Sequence, residues 1–270
     1  MDLKDYLASV KEISVGAGKK IMEVYKRDFE VTDKQDGSPL TEADQAAHEY
    51  IVEQLRIMTP DIPVLSEESS STEYEDRSSW RCFWLVDPLD GTKEFVKRNG
   101  EFTVNIALIQ KGQPVLGVVH APDKDVTYYA AQGVGAFKDD TTGQGIPISV
   151  GKYQGGPATV VASRSHAGAA ITSFLKELTA AEGEPETTCM GSSLKLCLVA
   201  EGVADVYPRL GLTSEWDTAA AHCVVEVAGG KVTDLEANRL AYNKPDILNP
   251  FFIVSDAGDY DWIAYTKHEH

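Results

Sequence analysis

Cysteine is too sparse in this chain to organise it: Cys82, Cys189, Cys197 and Cys223 lie far apart, and none belongs to a CxxC pair. That spacing argues against a zinc site and against a disulfide framework. Positive charge is also short, with 25 Lys and Arg against 42 Asp and Glu, a net charge of −17. A field of that sign repels DNA and RNA, so a nucleic-acid polymer is not an expected partner. No apolar run approaches the roughly 20 residues that cross a bilayer. Asp2, Lys4, Asp5 and Lys11 interrupt any signal-peptide core at the N-terminus. A cytoplasmic protein without stable membrane insertion is expected. Internal repeats and low-complexity tracts are missing too.

What is present suffices for a proper core: 270 residues, 43% of them hydrophobic. Leu3, Leu7, Val10, Ile21 and Val24 predict a long first helix, with a break near Gly16 and Gly18. Residues 32–39 read as a mobile loop, and Ala43, Ala47, Ile51 and Leu55 as a second helix from Thr41. Strands are expected over residues 62–66, 82–86, 102–109, 115–121 and 128–131, then 159–163, 204–207 and 251–255. Further helices are expected over 168–178, 194–201 and 218–228, the last stopped by Gly229 and Gly230. The polar, Gly-rich stretch 138–156 is the one candidate junction, dividing the chain into residues 1–150 and 151–270. Helices and strands mix throughout, so the fold class is α/β or α+β, a layered sandwich.

The densest motif is Asp87-Pro88-Leu89-Asp90-Gly91-Thr92, directly after the apolar run Cys82 to Val86. Pro88 cannot continue a strand's hydrogen-bond ladder, so Asp87 is expected at the strand's end. Gly91 permits a tight turn into a helix opening at Thr92. Two carboxylates on such a turn can converge on a hard cation, while backbone N–H groups at a helix start suit a phosphate oxygen. Metal-assisted phosphate hydrolysis needs both in one place. The competing reading of an isolated DxxDG is an ordinary turn with local Asx hydrogen bonds. Glu67 and Glu68 follow another apolar run, yet glutamate is usually just solvated. Asp217 suits the N-cap of the helix after it, and Thr41 with Asp44 matches a capping box.

Taken in order, Leu65-Ser66-Glu67-Glu68, Asp87 to Thr92, and Trp216-Asp217-Thr218-Ala219-Ala220 resemble the inositol monophosphatase superfamily of magnesium-dependent, lithium-sensitive phosphatases. The resemblance runs along nearly the whole chain and implies an αβαβα sandwich. It implies metal ligation by the carboxylates of Glu67, Asp87, Asp90 and Asp217 and by the Leu89 carbonyl, for two or three Mg²⁺ ions. It also implies that Thr92 orients the attacking water, with Asp44 and Glu67 beside it. The loop Asp33-Lys34-Gln35-Asp36-Gly37 is the place where relatives hold a loosely bound third metal, and no residue here is assigned to it.

Residues 93–103, Ser163-Arg164-Ser165-His166, Gly191-Ser192-Ser193-Leu194-Lys195 and Tyr207-Pro208-Arg209 resemble the CysQ-type 3′(2′),5′-bisphosphate nucleotidase branch. A bisphosphorylated nucleotide needs a cationic handle for its non-reacting phosphate, which Lys195 and Arg209 with Ser193 can supply. His166 is expected at the nucleoside, Arg164 as a weaker candidate. Leu89, Asp90, Gly91, Thr92 and Asp217 would also face substrate. His48, His120 and His222 read as structural. Three alternatives stay open: an inositol or sugar phosphatase of the same superfamily, a phosphatase with an aspartate nucleophile, and a metal or nucleotide sensor without catalysis. The DxD spacing of the aspartate-nucleophile class differs from the DxxD found here.

Overall fold

The computed structural model describes residues 2–27, 31–33, 39–69, 72–139, 142–162 and 168–266. It opens with α1 (Leu3–Tyr25), the short strands β1 (Val31–Asp33) and β2 (Pro39–Thr41), and α2 (Glu42–Met58). Then come β3 (Val64–Ser66), α3 (Tyr74–Arg77), β4 (Cys82–Asp90) and α4 (Thr92–Val96). A meander follows: β5 (Thr103–Gln110), β6 (Gln113–Ala121), β7 (Val126–Ala131), β8 (Gly135–Asp139) and β9 (Gly145–Pro147). The remaining elements are β10 (Thr159–Ala162), α5 (Ala169–Glu182), β11 (Glu186–Cys189), α6 (Leu194–Ala200), β12 (Val206–Arg209), α7 (Glu215–Val227), β13 (Gly230–Asp234) and β14 (Phe252–Asp256).

Strands β3 to β9 form one sheet in chain order, and a second sheet runs β11-β10-β12-β14-β13. Side chains alternate across a strand, and β4 shows what that does here. Trp84 and Val86 pack with Ile21, Ile51 and Leu55 of α1 and α2, while Phe83 and Leu85 pack with Leu198, Val224 and Val225 of α6 and α7. Burial on both faces explains why this strand reads as an unbroken apolar run. The second sheet repeats the pattern: Phe252 and Val254 face α6 and α7, and Ile253 faces Phe174 and Leu178 of α5. The layers are therefore helix, sheet, helix, sheet, helix, as the family resemblance implied.

Two expectations need correction. Helix α1 does not break at its glycines. Two interior glycines cost about 1 kcal/mol each against alanine. Buried Leu7, Val10, Ile13, Ile21 and Val24 return about 1.5–3 kcal/mol each. The glycines permit close approach instead: Gly16 lies under the Tyr50 ring, and a Cβ on Gly18 would sit 2.6 Å from the His120 ring. Residues 32–39 are not all loop, because Val31–Asp33 and Pro39–Thr41 pair antiparallel; residues 34–38, with most of the expected third-metal loop, lie outside the described residues. The stretch 138–156 holds β9 and the end of β8, which continue the first sheet. Edge and junction strands β8, β9, β11 and β13 escaped the sequence reading because they are short and mostly half-exposed. The segment after β14 closes as a 3₁₀ turn (Trp262–Thr266) that seats Trp262 against α5. Among the described residues, no helix is long and apolar enough to cross a membrane.

Helix α7 lies so close to β6 that a Cβ on Gly117 would run into the Ala220 carbonyl and approach the Cys223 Cβ at 2.9 Å. Gly117→Ala is expected to lower stability by about 1–3 kcal/mol through overpacking, read as a lower urea midpoint; an unchanged midpoint would show that α7 can move outward freely.

Candidate metal centre and anion pocket

The strand β4 does not stop at Pro88. It pairs Asp87 with Asn105, and then Asp90 with Thr103. Three steps along β4 match two along β5, so one extra residue is accommodated as a bulge at Pro88-Leu89, where the missing proline N–H leaves the ladder irregular anyway. The bulge has a direct consequence. Residues three apart in a regular strand point to opposite faces; with the extra residue, Asp87 and Asp90 turn to the same side. Gly91 then adopts φ 89° and caps α4, a conformation that favours glycine. The expected turn and helix at Thr92 are present, and the Thr92 hydroxyl donates to the Leu89 carbonyl at 3.4 Å.

Asp217 reaches the same point from α7. It is not the N-cap but the third residue of that helix; Ser214 caps it, and the two form a reciprocal capping box. Oxygens of Asp87, Asp90 and Asp217 come within 4.8 Å of one another. Each carboxylate commits one oxygen to a backbone N–H: Asp87 Oδ1 to Leu89 at 3.1 Å, Asp90 Oδ2 to Ser193 at 2.6 Å, and Asp217 Oδ2 to Ser214 at 2.8 Å. Glu67, half-buried, opens a 3₁₀ turn after β3, whose register (Ser66 opposite Val86) sets it level with Asp87. Asp44, fully buried, is the third residue of α2.

Burial and mutual repulsion make this cluster costly as it stands. Asp87 is held well above the ordinary carboxylate range by burial, then by Glu67, Asp90, Asp217 and Asp44. Asp90 is raised by burial, against the pull of Lys195 and the Ser193 N–H. Asp217 is pushed up to about 8 by burial and then by Asp90. Converging oxygen donors with too much negative charge fit a hard divalent cation, which would reverse these shifts.

Beside the cluster opens a cavity of about 130 Å³ whose lining includes Asp90, Gly91, Ser192, Lys195, Tyr207, Arg209 and Asp217. Lys195, 8% exposed, donates to the Ser192 carbonyl at 2.6 Å; burial lowers it to about 8, with Asp90 pulling upward and Arg209 downward. Arg209 closes β12 and donates from Nη2 to Leu212 O at 2.9 Å, while its buried Nε has no hydrogen-bond partner among the described residues. Ser193, expected to face substrate, also lines this cavity, and its hydroxyl donates to Asn105 Oδ1 at 2.7 Å. The serine hydroxyl that lines the cavity buried and without a partner among the described residues is Ser192, at φ 47°. His166 and Arg164 lie outside the described residues. The three structural histidines each have a neighbour: His48 with Ser66, His120 with Thr127 and His222 with Tyr242. A larger groove of about 740 Å³, lined in part by Lys11, Lys19 and Asp139, shares no residue with the carboxylates.

Asn105, Thr103 and Ser192 were missed by the sequence reading. The signal available was small: Thr103 and Asn105 are polar residues on an otherwise apolar strand.

A bulged strand that delivers paired aspartates, a third from a helix start, and a sandwich of five layers define a metal-dependent phosphatase class. The inositol monophosphatase family matches residues 2–258, and the chain belongs to that family. Among curated proteins it is 51% identical over 252 residues to the 3′(2′),5′-bisphosphate nucleotidase CysQ of Salmonella typhimurium, covering 92% of this chain and 99% of that one. It is 42% identical to the CysQ nucleotidase of Aggregatibacter actinomycetemcomitans, over 95% of this chain and 94% of that one. Among solved structures, CysQ from Bacteroides thetaiotaomicron superposes with a TM-score of 0.83 at 40% identity, covering 95% and 98% of the two chains.

Asp217 titrates near 8 in the folded chain against an ordinary 3.8. The folded state thus holds a proton that the unfolded state has released, and this contribution weakens folding as pH rises from about 4 to about 8. In chelator, Asp217→Asn is expected to gain thermal stability over the parent across that window and to show little difference below it. Divalent cation should remove the advantage. A constant difference at all pH values would contradict the raised carboxylate.

Proposed function

We propose that the chain is a magnesium-dependent 3′(2′),5′-bisphosphate nucleotidase of the cytoplasm. It removes the 3′-phosphate of adenosine 3′,5′-bisphosphate to leave AMP and inorganic phosphate, and acts likewise on the sulfated nucleotide. The observation that carries this reading is the juxtaposition of a three-aspartate cluster with a cationic pocket wall, in a chain 51% identical to a nucleotidase. A protein of net charge −17 attracts a small polyanion only where local cations reverse the field.

Asp87, Asp90 and Asp217, with Glu67 and the Leu89 carbonyl, hold the cations. Residues 1–150 supply four of these five ligands, and residues 151–270 supply Asp217 and the cationic wall. When bound, Mg²⁺ neutralises phosphoryl charge and acidifies water. The chain's own groups do the rest. Thr92, with Asp44 and Glu67 beside it, orients the attacking water in line with the scissile bond. The water oxygen joins phosphorus, the bond to the 3′ oxygen breaks, and that oxygen leaves with a proton. Gly91 and Thr92 flank the reacting phosphate. Lys195 and Arg209 take the other phosphate together with Ser193, the neighbouring Ser192 hydroxyl being the one left without a partner among the described residues, and His166 contacts the nucleoside.

Phosphate release from adenosine 3′,5′-bisphosphate and from inositol 1-phosphate, with and without Mg²⁺, tests the reading. A Mg²⁺-dependent preference for the nucleotide, inhibited by millimolar lithium, is expected; preference for the inositol ester would overturn it. Arg209→Ala should raise KM for the nucleotide by about 10–100-fold, the cost of removing a charge-assisted phosphate contact. It should barely change turnover of inositol 1-phosphate. Equal losses on both substrates would remove Arg209 from the second-phosphate role.

A further inference from the structure

The loop between β11 and α6 is fastened to the first sheet on both sides of Ser192. Gly191 N donates to Glu101 Oε2 at 2.8 Å, and a Cβ on Gly191 would lie 2.7 Å from the Glu101 carbonyl. Ser193 N donates to Asp90 Oδ2 at 2.6 Å. The Ser193 hydroxyl donates to Asn105 Oδ1 at 2.7 Å and lies 2.9 Å from the Thr103 hydroxyl. Asn105 Nδ2 in turn donates to Asp90 Oδ2 at 3.5 Å. Thr103, Asn105 and Ser193 are at most 2% exposed.

Donor capacity fixes the direction of this chain. A hydroxyl has one hydrogen, and that of Ser193 goes to Asn105. Thr103 must therefore donate to Ser193, and every proton in the chain points toward Asp90. Buried side-chain networks polarise their members in this way. Ser192, caught between the two anchors, is held at φ 47°, a conformation costing about 1–3 kcal/mol for a non-glycine residue, which persists only when its surroundings over-determine it. In that conformation Ser192 lines the cavity with its hydroxyl buried and without a partner among the described residues, and its carbonyl accepts from Lys195.

We propose that Thr103 and Asn105 are positioning residues that couple Asp90 to the anion-binding loop, so that cation affinity and the placement of Ser192 and Lys195 are set together. They touch neither ligand. The chain restrains Asp90 through its Oδ2, and the same contacts hold Ser192 in its left-handed turn. The inference takes the divalent-cation site of the proposed function as given, and its test does not depend on which phosphate is hydrolysed.

The test is Mn²⁺ binding without substrate, followed by electron paramagnetic resonance, in Thr103→Val, Thr103→Ser and the parent. Thr103→Val keeps shape but removes the donor; Thr103→Ser keeps the donor. Weakening by about tenfold is expected for Thr103→Val, the lower end of what lost outer contacts to a metal ligand produce, with recovery in Thr103→Ser. KM for adenosine 3′,5′-bisphosphate at saturating metal should rise in Thr103→Val and recover in Thr103→Ser. Unchanged Mn²⁺ affinity in folded Thr103→Val, or a KM rise without loss of metal affinity, overturns the coupling. Should Thr103→Val not fold, Ser193→Ala replaces it, because it retains the backbone N–H to Asp90 while cutting the chain; unaltered Mn²⁺ affinity there overturns the proposal equally. Failure to hydrolyse the nucleotide would touch only the proposed function, since the Mn²⁺ comparison stands without turnover.

Discussion

Like charges forced together in a buried corner constrain everything around them. Asp87, Asp90 and Asp217 approach within 4.8 Å, and no arrangement of that kind survives unless each carboxylate is held by something else. The backbone does the holding, with one N–H per aspartate, taken from β4, from the loop before α6 and from the start of α7. A hydrogen bond to a charged acceptor is stronger than a neutral one, and each here restrains a side chain of the cluster. The cluster is thereby kept open with an excess of negative charge that a bound cation would offset.

The layered fold exists around that corner in a specific sense. Helix α7 lies between the two sheets, packed against Leu85 and Val119 on one side and Phe252 and Val254 on the other. Its first turn is therefore packed in place, with Asp217 tied to Ser214 by the capping box. The first sheet contributes β3 and β4 side by side, so Glu67 and Asp87 arrive at the same level. The cationic residues come from the other sheet and from α6. Carboxylates and cationic side chains thus reach one cavity from different layers, and the loop at Gly191 to Ser193 lies between them.

Much of this was legible in the chain. The apolar run before Asp87, the glycine after Asp90 and the turn into Thr92 specify local geometry that the structure reproduces, and alternation on β4 and β14 follows from burial on both faces. Other features were not. Pro88 signals the end of a ladder, and the structure instead uses it inside a bulge, because the partner strand β5 continues to pair beyond it. Asp217 reads as a cap because Asp is a good one, yet Ser214, three residues earlier, takes the place and converts Asp217 into its reciprocal partner. Ser192 and Ser193 are indistinguishable in sequence. Only the contact of Ser193 with Asn105, some 90 residues distant, decides which of the two hydroxyls is engaged and which is left without a partner among the described residues, and no local pattern encodes a contact of that range.

The bulge at Pro88-Leu89 sets fold and site against each other. Removing either residue would restore regular pairing between β4 and β5 and return an aspartate pair two positions apart, on one face without any distortion. The ladder would gain what the irregularity now withholds. Yet the shortened turn would no longer offer the Leu89 N–H to Asp87 or bring Asp90 under Ser193. A single-residue deletion here trades a better sheet for a dismantled centre, so the length of this one turn is set by the geometry of the site rather than by the needs of the sheet.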